Sequence, residues 1–559
     1  MKIGERDAFS VFDIYPRLMK YGFIIDNRKC IGCHACTTAC KAEHQVPVGV
    51  NRTWVKQVEK GEFPHTRRLF SVMRCNHCTD APCVEICPVE ALYYREDGIV
   101  DFDKDRCIGC KSCMQACPYD ALYIDPENST AAKCNYCAHR VDIGLEPACV
   151  NVCPEHAIIS GDMDDPDSEI ARLLGREQVM VRKPEKATQP NLFYINGDEA
   201  SLTPTHTEKA REYFWSAQER GVGHYARAAE AMAFSSGDIV QSALAANGQT
   251  ATAGEVAGNG PARSIDLVMG KPRRVYDTPD KGILWGWEVW GYVLTKAIAA
   301  GAFLVPFLAW AFDWAPIRAG ARDTGLGISI FFLLLTGLLL IKDLDRPDRF
   351  LNVLFRPQSK SWLVKGGYAI SLFGLFLVLW GAAVGLDLNN VAPYLAWATA
   401  VLALIVAVYT AFLFAQAKGR DFWQSPTLAL HMLIHSFLAG AAVYAILMVF
   451  QSFEASWQVF IKNVFYVAIG LNLLILLLEL TMPHPTEDSK RVVKMITKGR
   501  YRFKFWADVV VLGNILPLVL LAVAGQNAIL IALAGVAVLI GIYYTENIWV
   551  EAPQRVPLS

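Results

Sequence analysis

The sequence predicts a multidomain chain: a cysteine-rich α+β half at the N-terminus, then an all-α membrane bundle of eight helices. Three observations predict it. All sixteen cysteines lie between Cys30 and Cys153, in four groups of four. Three groups end in nearly one hexapeptide, CPVEAL at 87–92, CPYDAL at 117–122 and CPEHAI at 153–158, which marks internal repetition. Beyond residue 285 the apolar residues gather into long segments, in a chain of 559 residues with 53% hydrophobic content and positive mean hydropathy. That is too apolar for an ordinary soluble enzyme and too long for one domain. The net charge of -1 is by itself neutral on nucleic acid, and no nucleic-acid partner is expected.

Taken in chain order, the first group reads C-x2-C-x2-C-x3-C through Cys30, Cys33, Cys36 and Cys40. The third repeats it through Cys107, Cys110, Cys113 and Cys117, followed by Pro118. In the second, Cys75, Cys78, Cys83 and Cys87 with Pro88, the middle gap is wider. In the fourth, Cys134, Cys137, Cys149 and Cys153 with Pro154, that gap carries an insertion. This is the bacterial 4Fe-4S pattern, in which three close thiolates grip one cluster and the fourth reaches across to a second. Zinc needs only a tetrahedron of thiolates and explains neither the three-plus-one spacing nor the prolines. A disulfide framework suits short secreted chains. Residues 1–160 are therefore expected to form two tandem ferredoxin-like units with four 4Fe-4S clusters.

Residues 161–284 read as an extension and flexible linker. The stretch 161–205 is rich in Asp, Pro and Thr, 207–234 alternates charged with apolar residues in a helical manner, and 235–263 is Ser, Gly, Ala and Asn. Residues 285–559 hold eight segments long enough for a bilayer core of about 30 Å, which takes roughly 20 helical residues. Their expected limits are 288–312, 325–342, 364–386, 392–416, 426–450, 457–480, 506–525 and 527–545, the seventh interrupted by Pro517.

An even number of spans puts both chain ends on one side of the membrane. Most basic loop residues share that side, among them Lys342, Arg346, Arg349, Lys418, Arg420 and the run from Lys490 to Lys504. The other side offers little beyond Arg318 and Arg322. The positive-inside rule then predicts a multi-pass protein of the inner (cytoplasmic) membrane with its iron–sulfur half in the cytoplasm. Residues 1–29 contain no twin-arginine pair or apolar signal core, in agreement with that expectation.

Residues 22–160 resemble the four-cluster ferredoxin subunit of complex iron–sulfur molybdoenzymes, relatives of dimethyl sulfoxide, polysulfide and formate oxidoreductases. The resemblance rests on the spacings, RCNHCTDAPCVEICP at 74–88 and RCIGCKSCMQACP at 106–118. Residues 281–559 resemble the NrfD-type polysulfide reductase membrane subunit through WGWEVWGYVLTKAIAAGA at 285–302 and DLDRPDRF at 343–350. The first resemblance implies that motif one pairs with four and motif two with three. The implied sets are Cys30, Cys33, Cys36 with Cys153; Cys134, Cys137, Cys149 with Cys40; Cys75, Cys78, Cys83 with Cys117; and Cys107, Cys110, Cys113 with Cys87. Some relatives replace a cysteine of motif three and hold a 3Fe-4S cluster, but here that motif is intact. The second resemblance implies a quinone site near the iron–sulfur half.

Clusters in a row only move electrons, so the bundle needs a lipid-soluble partner, and a quinone, menaquinone or ubiquinone, fits. Its site needs donors for carbonyl oxygens and a titratable route to water. Glu288, Tyr292 and Lys296 recur every four residues on one face of the first span. Asp343, Asp345, Arg346 and Arg349 close the second span on the same side, where His431 and His435 open the fifth. Glu288, Tyr292, Lys296 and His431 are the quinone-site candidates. Competing readings make Arg346 and Arg349 docking or headgroup anchors, Trp285, Trp287 and Trp290 interfacial belt residues, and Asn472 and Asn514 a helix–helix hydrogen bond. A bis-histidine haem is disfavoured because no second intramembrane histidine pair exists.

Two functions of different class follow. In the first, the chain passes electrons between a separate catalytic subunit with a molybdopterin-type cofactor and the membrane quinone pool. In the second, it is a redox-driven proton-translocating module of a larger respiratory complex. The first is favoured because the outer half offers mainly Asp387, Glu454 and Lys462 as ionisable groups.

Overall fold

The computed structural model describes residues 19–61, 66–209 and 272–559. The helical reading of 207–234, the linker reading of 235–263 and the start of the chain lie essentially outside the described residues.

In the N-terminal half each cysteine motif is a loop that runs into a short helix. The first loop enters α1 (Ala35–His44), the second enters α2 (Pro82–Ile86), the third α3 (Ser112–Ala116), and the fourth passes through α4 (Ala138–Val141) and α5 (Ala148–Asn151). The residue just before the second cysteine of each motif has a left-handed backbone: Gly32 at φ 73°, His77 at 42°, Gly109 at 69° and Tyr136 at 62°. Turning the chain so that two thiols three residues apart face one point requires this, and glycine supplies it without strain only in the first and third motifs. The repeated C-P-x-x turn behaves alike, with Glu90, Asp120 and His156 all at positive φ. The backbone N–H groups of Ala91 and Ala157, which follow these turns, donate to Cys87 Sγ at 3.3 Å and Cys153 Sγ at 3.2 Å.

Strands frame these loops. β1 (Tyr21–Asp26), β2 (Thr53–Lys60) and β3 (Arg67–Arg74) precede two hairpins, β4 (Leu92–Tyr94) with β5 (Val100–Phe102) and β6 (Leu122–Asp125) with β7 (Thr130–Lys133). The expected boundary at residue 160 is corrected here. β8 (Ile158–Asp162), β9 (Val179–Met180) and β10 (Leu192–Ile195) form one sheet in the order β8-β1-β10-β9, with Phe23 opposite Leu192 in parallel register. Residues 161–209 are thus part of the iron–sulfur half. Their polar turns mimic a linker, yet Leu192, Tyr194 and Ile195 are buried. β11 (Glu208–Lys209) and β12 (Arg273–Tyr276) extend β2 and β3 into a second four-stranded sheet.

The C-terminal half has eight helices long and apolar enough to span a membrane: Trp287–Ala311, Ala319–Lys342, Trp362–Gly385, Ala392–Gln416, Leu428–Phe450, Ala455–Thr481, Lys504–Val523 and Ala528–Gln554. The second begins six residues before its expected start. The eighth runs past residue 545 to Gln554, because Glu546, Asn547 and Gln554 are buried in polar contacts that hydropathy cannot register. The seventh is π-helical over Lys504–Ile515 and becomes α-helical at Leu516. The wider turn precedes Pro517, whose ring and missing N–H disrupt regular α pairing. The first and fifth spans are the most buried and form the centre. They touch at Gly301 and Gly440, where a Cβ on Gly440 would stand 2.2 Å from Gly301 O.

Candidate functional site: cysteine sets and a buried polar cluster

All sixteen thiols are free. One cavity is lined by Cys30, Cys33, Cys36 and Cys153, and a second by Cys87, Cys107, Cys110 and Cys113. For the remaining eight, mutual influence marks the grouping. Burial pushes the Cys40 thiol up, and the thiols that add to the push are Cys134, Cys149 and Cys137. Burial likewise raises Cys83, with Cys117, Cys75 and Cys78 as its thiol neighbours. Four sets of four therefore come together. They also follow one another in a line: Cys36 senses Cys149 of the next set, Cys75 senses Cys134, and Cys113 senses Cys83. Four thiols round one space with backbone N–H groups aimed at sulfur suit an iron–sulfur cluster.

The set of Cys107, Cys110, Cys113 and Cys87 is the one against the membrane half. Arg349 donates to the Cys107 carbonyl at 3.1 Å and the Lys104 carbonyl at 2.8 Å, and Arg346 donates to the Asn128 carbonyl at 3.3 Å, so both arginines hold the two halves together. Lys111 pairs with Asp345 at 3.0 Å. Trp285 is buried rather than in an interfacial belt, since its Nε1 donates to the Cys110 carbonyl at 3.2 Å. Its ring stacks on Phe414 at 5.6 Å and on Trp423 at 5.5 Å. Trp287, half exposed, lies under Lys342, and Trp290 is partly buried. Trp423 Nε1 donates to the Trp549 carbonyl at 2.8 Å, and Trp549 Nε1 donates to Glu479 Oε2 at 3.0 Å.

Glu479 is one of two buried carboxylates around the histidine pair. His431 Nδ1 lies 3.1 Å from Glu479 Oε2, and His435 Nδ1 lies 2.7 Å from Glu546 Oε1. Carboxylates accept, so the hydrogen of each imidazole sits on Nδ1 and each Nε2 is left over. Both Nε2 atoms are buried without a hydrogen-bond partner among the described residues, and that of His431 lies 4.0 Å from Glu546 Oε1. Lys296 Nζ donates to Thr410 Oγ1 at 2.7 Å and to the Ala407 carbonyl at 3.2 Å, and lies 4.8 Å from the centre of the Tyr409 ring. Glu546 is within electrostatic reach of Lys296, His431 and His435. Lys296, His431 and His435 thus converge on Glu546 of the eighth span, and Tyr292 is buried beside the Thr410 that holds Lys296. Glu288 stays outside, with a partly exposed side chain 3.9 Å from Lys342.

Residues 29–92 and 66–163 match models of 4Fe-4S dicluster domains, and residues 278–554 match the polysulphide reductase NrfD model. A subunit of the tetrathionate reductase of Salmonella typhimurium is 47% identical over 189 residues, which is 33% of this chain and 76% of that protein. The protein belongs to the iron–sulfur subunits of respiratory reductases, joined here to an NrfD membrane domain. One polypeptide of the polysulfide reductase of Wolinella succinogenes is 43% identical over 32% of this chain and 94% of its own length. The iron–sulfur subunit of arsenate respiratory reductase from a Shewanella species is 34% identical over 32% and 96%. This NrfD fusion is therefore an electron-transfer module of a membrane-bound reductase, and the proton-translocating alternative is not favoured.

Sequence reasoning missed Glu479, Glu546, Trp549 and Thr410 in the NrfD domain. Glu479 stood as a lone acid at the end of the sixth expected span, a readable signal. Glu546 fell one residue past the expected end of the eighth.

Proposed function

We propose that the chain carries electrons between a separate catalytic subunit, carrying a molybdopterin-type cofactor, and the membrane quinone pool through four 4Fe-4S clusters. Cys30, Cys33, Cys36 and Cys153 hold the first, Cys134, Cys137, Cys149 and Cys40 the second, Cys75, Cys78, Cys83 and Cys117 the third, and Cys107, Cys110, Cys113 and Cys87 the fourth. Bound clusters supply reversible one-electron storage. The relatives' names, each that of a reductase component, support a catalytic partner. At the distal set Cys33 is exposed and Ile31 beside it is 55% exposed, which suits docking of that partner.

The observation that carries the quinone reading is the unbroken line from Cys110 through Trp285, Trp423 and Trp549 to Glu479 and His431. It brings a redox-competent set and a proton-holding cluster to one end of the bundle. Reduction of a quinone to quinol consumes two electrons and two protons. Lys296, oriented by Thr410, is the candidate donor to a quinone oxygen. His431 and His435, with Nδ1 committed to carboxylates, keep Nε2 for proton relay. Tyr292 lies one turn from Lys296 on the same face, and Glu288 serves at most the approach. The basic loops support a cytoplasmic position for the iron–sulfur half.

The test is Lys296→Met, which keeps the apolar stem and deletes charge and donors. Quinone-dependent turnover is expected to be abolished while cluster reduction by an artificial donor is unchanged. His431→Ala is expected to do the same to a smaller extent. Normal quinone turnover in both variants moves the site elsewhere in the bundle.

A further inference from the structure

Each of the four cysteine motifs is preceded by a basic residue: Lys29, Arg74, Arg106 and Lys133. The outer two in the line of sets differ from the inner two. Lys29 and Arg106 are exposed, whereas Arg74 and Lys133 are fully buried, each the last residue of a strand, β3 and β7. Lys133 Nζ donates to the carbonyls of Val100 and Cys134. Arg74 has no such satisfaction. Its NH1 donates to Cys149 Sγ at 3.1 Å, its guanidinium lies 4.4 Å from the centre of the Phe23 ring, and its Nε and NH2 are buried without a partner among the described residues.

A buried guanidinium needs an opposite charge, because an isolated ion in a low-dielectric interior carries a desolvation cost of several kcal/mol. No carboxylate provides it among the described residues. The groups that act favourably on Arg74 are the thiols of Cys149, Cys134 and Cys36, two of them in the set of Cys134, Cys137, Cys149 and Cys40. Arg74 also cannot shed its charge as a lysine can. The surroundings of this set hold a second cation besides Arg74, since Arg52 bears on Cys40.

We propose that Arg74 is a positioning residue for electrons: its fixed, buried charge makes the cluster on Cys134, Cys137, Cys149 and Cys40 the most easily reduced of the four. Each electron added to a cluster makes it more negative, and a cation held against its sulfur ligands in a dry site favours that state. The wire then has a low point at its second position, where an electron waits until a second arrives. That arrangement suits a chain linking two-electron chemistry at a partner to two-electron chemistry at a quinone. The inference rests on the four-cluster reading.

The experiment is EPR-monitored redox titration of the full chain in detergent. Four signals, with close to sixteen iron per chain, are the control for the four-cluster reading, and their absence refutes that reading rather than this one. The signal altered by Cys137→Ser identifies the cluster concerned. In the unaltered chain it is expected to be reduced at the highest potential of the four. Arg74→Gln is expected to lower its one-electron reduction equilibrium constant at least tenfold, equal to about 59 mV toward negative, with a smaller shift at the cluster on Cys30, Cys33, Cys36 and Cys153, since Cys36 also lies within reach of Arg74, and with the signal of the cluster against the membrane half unmoved. Arg74→Lys is expected to restore most of the shift in titrations at about pH 6, where a buried lysine keeps its proton. An unmoved potential, or an equal shift of all four signals, overturns the proposal. If Arg74→Gln does not assemble, the order in the unaltered chain decides, and a lower potential here than at the outer clusters overturns it.

Discussion

Asp343 lies just past the end of the second span, with its carboxyl pushed up to about 7, first by burial and against the pull of Lys111. A carboxyl raised above its unfolded value binds its proton more tightly in the folded state. Its contribution to stability is therefore lost as pH rises from about 4 through about 7. Asp343→Asn removes that loss. The variant is expected to match the unaltered chain near pH 4 and to exceed it by up to about 4 kcal/mol above pH 7. Thermal melts in detergent across this range check it, and a pH-independent difference refutes it. At the same scale, Lys296 and the histidines were visible in the sequence as costly polar residues in apolar segments. Their carboxylate partners were harder to see, because Glu546 lies where the eighth helix leaves the apolar zone and no hydropathy window reports a contact between distant helices. Asn472 Nδ2 does donate to Asn514 Oδ1 at 2.9 Å, as the helix–helix reading expected.

The elements were legible where a period or spacing carries the information. Thiol spacing fixes the loops, and apolar length fixes the spans to within a few residues. Short strands carry neither signal: β9 has two residues and β10 four, so a stretch of Asp, Pro and Thr hid the strands that complete the sheet around β1. Helix crossings are equally silent in composition. Gly440 and Gly301 allow backbones of the first and fifth spans to touch, and Gly440→Ala places a methyl 2.2 Å from a carbonyl oxygen. The expected cost is about 3 kcal/mol or more, at the level of an overpacked core. Gly470→Ala in the sixth span, where a Cβ meets nothing within 4 Å, is expected to be neutral. Yield of monodisperse protein in size-exclusion chromatography checks the pair, and equal yields refute the close-contact argument.

For the whole molecule, the basic loops on the iron–sulfur side support the proposed cytoplasmic orientation. Protease is expected to cut the 210–271 segment in inverted membrane vesicles and to leave it intact in spheroplasts. Cleavage from the outside overturns the cytoplasmic assignment. The two halves meet through polar groups as well as stacked rings. Gln115 Nε2 donates to Gln554 Oε1 at 2.6 Å, and buried Arg420 donates to Gln115 Oε1 at 2.9 Å and to the Pro553 and Val556 carbonyls.

Between separate polypeptides the occupancy of such a mixed contact would depend on their concentrations, since polar desolvation and lost rotational freedom offset part of its attraction. On one polypeptide the encounter is intramolecular, at an effective concentration set by the tether rather than by expression level. Stoichiometry is fixed at one wire per membrane bundle. Surplus soluble carrier, which would otherwise leak electrons to adventitious acceptors, is never made.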